Sequence, residues 1–250
     1  MARKNDKSNG GVPIPLYIPN IMNYVRFVAI VASWKFALTD PKIFSILYIV
    51  SQVLGAIDGT IARLLGQTSF FGSQLDILMT RFSTETLIFV VIKLSLTKIL
   101  VEEERMKFAF FFSCIFLSDF ISYWFQVYSA YLLDEKPHNS KNPILRFILT
   151  TLRFPLVDLV MTGLAEVYVF CSYINFFPEH FELIRTHPQF NLVLGAAVYG
   201  MILKTIHNVL HLWESSMRIV GLDVDIKNNP VPVKEKAPSK KPDSKKLKKK

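Results

Sequence analysis

The sequence predicts an all-α integral membrane protein, a bundle of about six transmembrane helices. Three observations point there. The chain of 250 residues is 51% hydrophobic with a mean hydropathy of +0.31, above the even apolar–polar mixture of an ordinary soluble domain. The apolar residues fall in long uninterrupted blocks. Lys and Arg fall on alternate connections between those blocks.

Spanning the hydrocarbon of a bilayer takes roughly 20 apolar residues as a helix. Six blocks reach that length, at residues 20–38, 43–65, 73–98, 108–133, 149–177 and 190–212. Asp40-Pro41 divides the first pair, and 66–69 is a short break after the second. The charged run 102–107, the stretch 134–143 and the stretch 178–188 separate the rest. The fifth block is long enough to kink at Pro155. No short apolar core ends in a small-residue cleavage site near the first residues, so the first block is expected to be retained as a membrane helix. Cys114 and Cys171 lie inside apolar blocks and read as small buried packing residues. The domain organisation expected is a polar tail over 1–15, a six-helix membrane domain over 16–215, and a disordered Lys-rich tail over 216–250.

Orientation follows from the basic residues. With the N-terminus cytoplasmic, Arg3, Lys4, Lys7, Arg63, Lys136, Lys141, Arg146 and the Lys tail all lie inside. The opposite connections are then near-neutral or net acidic, and both termini are cytoplasmic. The net charge of +9 is concentrated: residues 234–250 hold nine Lys against Glu235 and Asp243, a net +7. A basic, Pro- and Ser-containing tail next to a membrane reads as a solvated segment that touches anionic headgroups. That outweighs nucleic-acid binding, and no nucleic-acid partner is expected. Lys246, Lys248 and the final Lys pair also match the pattern of a dilysine endoplasmic-reticulum retrieval signal.

Ionisable residues inside membrane helices are expensive and mark function. The richest set is Gly55, Asp58, Gly59, Ala62, Arg63, Gly72, Asp76 and Arg81, across the end of the second block and the start of the third. Positions 55, 58 and 62 share a helical face, as do 72, 76 and 80. The short break turns the chain back, so Asp58 and Asp76 converge near the cytoplasmic surface. Paired carboxylates there suit a hard divalent cation that shares its oxygen ligands with a phosphate. Gly59, Ala62 and Gly72 let a bulky ligand approach the backbone. The bland alternative is an Asp–Arg pair that only locks two helices.

The run Asp58-Gly59-x-x-Ala62-Arg63, then eight residues, Gly72, three residues and Asp76, resembles the signature of the CDP-alcohol phosphatidyltransferases. Within that family the chain is similar to the eukaryotic phosphatidylinositol synthase branch. The likeness is carried by Pro19-Asn20-Ile21 with Tyr24 and Arg26, by Ser69 to Asp76, and by Arg81-Phe82-Ser83-Thr84. Asp119, Ser122 and Trp124, Asn142 to Arg146, and Lys204 with His211 extend it. The resemblance implies a six-helix bundle with a cytoplasm-facing polar cavity in the endoplasmic reticulum membrane. It implies phosphatidyl transfer from CDP-diacylglycerol to myo-inositol with release of CMP, and Mg²⁺ or Mn²⁺ as cofactor. Asp58 and Asp76 are assigned to metal, and Gly59, Ala62, Arg63, Ser69 and Gly72 to the nucleotide. Arg81 is placed, more weakly, on the acceptor side.

Two of the four motif aspartates are replaced. Gly55 stands where the first is found, and Thr80 stands at the general-base position. Glycine offers no ligand, and a threonine hydroxyl accepts no proton near neutral pH. Losing a positioned base typically lowers rate by on the order of 10²–10⁴-fold. Gln52 is neutral, Glu85 falls on the opposite helix face from Asp76, and Asp119 sits at a position the family also fills. Asp158, Glu166 and Lys204 read as helix-locking partners. Two readings stay open: a phosphatidylinositol synthase with impaired chemistry, or a catalytically silent paralogue, a pseudoenzyme that binds nucleotide lipid. As partners the lipid bilayer is expected, with a homodimer or a heterodimer with an intact paralogue. A transporter is the remote third reading.

Overall fold

The computed structural model describes residues 12–133 and 155–228. Six helices of 17 or more residues make up the described chain, and no strand occurs among the described residues. A 3₁₀ turn at Ile14–Leu16 leads into α1 (Ile18–Trp34), which carries Pro19 in its first turn. Proline belongs there because the first helical N–H groups lack an intrahelical acceptor. α2 (Pro41–Leu64) is capped by Asp40, whose Oδ1 accepts from the N–H groups of Lys42 at 3.2 Å and Ile43 at 3.1 Å. Asp40-Pro41 thus reads as a helix start as well as a break.

The turn after α2 places the functional residues. Gly66 adopts φ 63°, and the N–H groups of Gly66 and Gln67 bond back to the carbonyls of Arg63 (3.3 Å) and Ala62 (2.9 Å). This is the Schellman pattern, which needs a left-handed residue and so favours glycine. Ser69 then caps α3 (Phe70–Lys98), its Oγ accepting from the N–H of Gly72 at 2.9 Å. The Gln67 side chain accepts from the N–H of Ile18 at 2.8 Å, tying the start of α1 to this turn.

α4 (Glu102–Leu133) begins earlier than expected. The charged run 102–107 is not a separator but the helix's first turns, with Glu102, Glu103 and Glu104 at its positive N-terminal end. Lys107 pairs with Glu103 at 2.6 Å one turn on. α5 (Pro155–Asn175) follows, then a single helical turn (Glu182–Arg185) and α6 (Phe190–Asn228). α6 continues well past residue 215, where disorder was expected. No proline interrupts 213–227, the isolated Gly221 is tolerated within the helix, and Pro230 comes later. Cys171 is buried as expected, whereas Cys114 is exposed on α4. Residues 1–11, 134–154 and 229–250, including Asn142 to Arg146 and the Lys tail, lie outside the described residues.

The pattern of burial is that of a membrane protein. α2, α4 and α6 are long and apolar enough to cross a bilayer. α1 and α5 are shorter, and α3 carries Asp76, Arg81 and Glu85 in its first half. Large apolar side chains such as Val28, Ile46, Phe89, Leu117 and Leu203 face outward, while Asn20, Asn23, Arg26, Asp58, Asp119, Lys204 and Asn208 are buried. Backbone polar groups are satisfied within helices, and side-chain polarity is turned inward, as lipid requires.

The interior is divided along the bundle axis. One end is apolar, with Phe44, Leu87, Val91, Phe112, Val169 and Tyr173 fully or almost fully buried. The Phe44 and Tyr173 rings lie 4.5 Å apart, and the Tyr173 hydroxyl donates to the Ala37 carbonyl at 3.1 Å. The other end is polar. It takes the first halves of α1 and α3, the later halves of α2 and α4, and the middle of α6. Glu166 of α5 sits between the two, accepting from Tyr48, from Gln52 at 2.9 Å and from Thr84 at 2.9 Å. It joins α2, α3 and α5, the helix-locking role expected of it.

Candidate functional site

The polar end holds two cavities that share one wall residue, Asp76. The first, of about 260 Å³, is lined by Asp58, Gly59, Ala62, Arg63, Ser69, Gly72 and Asp76, together with Asn23 and the 67–68 turn. All seven residues that the sequence assigned to nucleotide and metal therefore face one space. The Schellman turn and the Ser69 cap produce this by folding α3 back along α2 after five residues, 65–69. Gly59 meets nothing nearer than Arg63 Nη1 at 3.7 Å, so protein packing does not demand glycine there and the backbone stays open to the cavity. Gly72 is different. A Cβ at that position would lie 2.7 Å from Asn20 Oδ1 and 3.0 Å from Ser69 Oγ, so glycine lets α1 and α3 approach.

Asp58 and Asp76 do converge, and a cation sits between them. The Arg26 guanidinium, 1% exposed, places Nη1 2.9 Å from Asp76 Oδ1 and 3.5 Å from Asp58 Oδ2. Nη1 also donates to Asn23 Oδ1 at 2.9 Å, and Nη2 to the Thr80 hydroxyl at 3.3 Å. The Asn23 amide completes the cluster by donating to Asp58 Oδ2 at 2.9 Å. The space for the guanidinium comes from Gly55. A Cβ built there lands on Arg26, 2.7 Å from Nη1 and closer still to Cζ and Nη2. Gly55 and Thr80, the two departures from the motif, are thus the two positions that seat this side chain. The Asp58 side chain is 4% exposed and that of Asp76 40%, so only Asp76 presents an oxygen widely to the cavities.

The second cavity, of about 280 Å³, lies on the other side of Asp76 and Thr80. Its wall carries Arg81, Ser122, Gln126, Lys204, His207, Asn208 and His211. Arg81, placed weakly on the acceptor side, does open onto it, while its guanidinium bonds Asp119 Oδ2 at 2.6 Å and lies 4.8 Å from the Tyr123 ring centre. Asp119 is 1% exposed and also receives Lys204 at 3.3 Å and Asn208 at 3.0 Å. With its oxygens taken by these three donors and no place on the first cavity's wall, Asp119 does not stand in for the missing aspartates.

The donor set is a poor one for the divalent metal on which the family generally depends. Among the described residues, no group of three or more His, Cys, Asp or Glu side chains comes together. The two carboxylates that remain are both paired to a buried cation. A divalent ion on the same oxygens would face the guanidinium at roughly 4 Å, a repulsion of about 8 kcal/mol at an effective dielectric constant near 20. The residues present do not fit the metal in this arrangement.

Sequence reasoning missed Arg26 as a member of the site, along with Asn23, Gln126, His207 and Asn208. A signal existed for the first two. Asn20, Asn23 and Arg26 recur every three residues in an otherwise apolar helix, which places a polar stripe on one face.

Comparisons with known proteins agree with the geometry. The family profile described as CDP-alcohol phosphatidyltransferase matches residues 16–177. The human CDP-diacylglycerol–inositol 3-phosphatidyltransferase is 28% identical over 212 residues, 83% of this chain and 93% of its own length. The Arabidopsis thaliana CDP-diacylglycerol–inositol 3-phosphatidyltransferase 1 is 30% identical over 138 residues, 55% of this chain and 56% of its own. The Saccharomyces cerevisiae protein of the same name is 30% identical over 125 residues, 50% of this chain and 52% of its own. No solved structure gives a significant match. The match spans all but the last of the six described helices and both aspartates of the motif, and the chain belongs to the CDP-alcohol phosphatidyltransferase family.

Proposed function

We propose that the chain is a phosphatidylinositol-synthase-like protein of phospholipid biosynthesis. It takes CDP-diacylglycerol in the cavity walled by Asp58, Gly59, Arg63, Gly72 and Asp76. Phosphatidyl transfer to myo-inositol is impaired. In that reaction an inositol hydroxyl forms a new P–O bond, the bond to CMP breaks, and the hydroxyl proton needs an acceptor. The observation that carries the reading is the cluster at Arg26. Thr80 stands at the base position and accepts a hydrogen bond from the guanidinium, which occupies a lone pair of a group already too weak to take a proton. Asp76, the nearest carboxylate open to both cavities, is held by the same cation.

The names of the relatives support inositol as the acceptor, and the second cavity offers amide, imidazole and ammonium groups suited to a polyol. An endoplasmic-reticulum location with both termini cytoplasmic completes the proposal, on the basic residues and the Lys-rich end of the sequence. Labelled myo-inositol incorporation by the purified chain, supplied with CDP-diacylglycerol and Mn²⁺, tests it. Turnover on the order of 10²-fold or more below an intact synthase is expected. Turnover equal to an intact synthase, abolished by Asp76→Ala, would overturn the impairment.

A further inference from the structure

We infer that Arg26 is the resident cation of this site, seated between Asp58 and Asp76 where a divalent metal would have to bind. The site therefore excludes the metal and takes its diphosphate-bearing ligand without one. Three observations carry the first part independently of one another. The guanidinium is buried and reaches both carboxylates, so a cation already offsets half of the charge that a divalent metal would neutralise. Position 55 has no Cβ, and any side chain there would occupy the same volume as the guanidinium. The bond from Nη2 to Thr80 and that from Nη1 to Asn23 hold the plane of the guanidinium, which a merely neutralising charge does not require.

Gly55 and Thr80, the two departures from the motif, thus seat Arg26, a residue that belongs to the likeness with the phosphatidylinositol synthase branch. A side chain at 55 and a guanidinium in this seat compete for the same space. Asp58 is held by Arg26 and Asn23, and a metal could bind the same oxygens only by displacing the guanidinium. Nε of Arg26 already has no hydrogen-bond partner, so the side chain's one stable anchorage is through its two terminal nitrogens.

The second part, metal-free ligand binding, rests on the functional reading above. Two measurements on the full-length chain in lipid nanodiscs separate them. The first is Mn²⁺ titration followed by electron paramagnetic resonance, without nucleotide. The wild type is expected to retain no Mn²⁺ at the site, and Arg26→Gln to tighten retention by on the order of 10–100-fold. One equivalent held by the wild type would overturn the inference. The wild-type titration needs no variant, so it decides the matter even where Arg26→Gln fails to fold. The second is CDP-diacylglycerol binding in EDTA against binding in Mn²⁺, expected to be equal within a factor of about two. A requirement for Mn²⁺ overturns metal-free binding. Failure to bind in either condition overturns the functional reading, while the Mn²⁺ titration alone judges Arg26.

Discussion

At the scale of residues, the polar end of this bundle is organised by buried charges that answer one another. Asp119 is the clearest case: a carboxylate with 2% side-chain exposure carries Arg81, Lys204 and Asn208 from three directions. Its removal leaves Lys204 without its carboxylate in the interior, and breaking a buried pair by deleting one partner costs about 3–5 kcal/mol. Asp119→Ala is therefore expected to lower the unfolding free energy by about that amount, read by denaturant unfolding in detergent. An effect below about 0.5 kcal/mol would show that water reaches the cluster and that the surface regime applies. Asp58 and Asp76 were legible in the sequence because their spacing allows few other arrangements once the chain turns at 66. Arg26 was not. Its place depends on three helices meeting, and no single-helix pattern reveals that a guanidinium of α1 fills the volume left by a glycine of α2.

At the scale of elements, helix ends place the site more than helix interiors do. Six apolar blocks could be read directly from length and hydropathy, and each corresponds to an observed helix. Their ends were read less well. The run 102–107 looked like a loop because charge was weighed against membrane insertion, whereas three Glu at an exposed N-terminus suit the helix dipole. The stretch 216–228 was assigned to a tail because its polarity rises, yet polarity alone does not end a helix. The turn at Gly66 is the element on which the site depends. Gly66→Val must adopt φ 63° with a β-branched side chain, a strain of about 1–3 kcal/mol. The expected outcome is a loss of stability in that range with weaker nucleotide-lipid binding, because α3 would no longer return at the same angle. Unchanged binding would show that the cap at Ser69 suffices to set that angle.

At the scale of the whole molecule, the bundle separates an apolar packing end from a polar end with two cavities joined at Asp76. Under the proposed function, that division is what would let a membrane-bound nucleotide lipid and a water-soluble alcohol meet without exposing polar groups to lipid. Under the proposed function the architecture persists, while Gly55 and Thr80 in place of the motif aspartates leave Arg26 as an internal cation between Asp58 and Asp76. The most direct test is myo-inositol-dependent CMP release from CDP-diacylglycerol. The wild type is measured beside a chain carrying Gly55→Asp, Thr80→Asp and Arg26→Ala together. The wild type is expected to release CMP on the order of 10²-fold more slowly than the triple variant. Equal rates in the two chains, or a wild type as fast as an intact synthase, would contradict it.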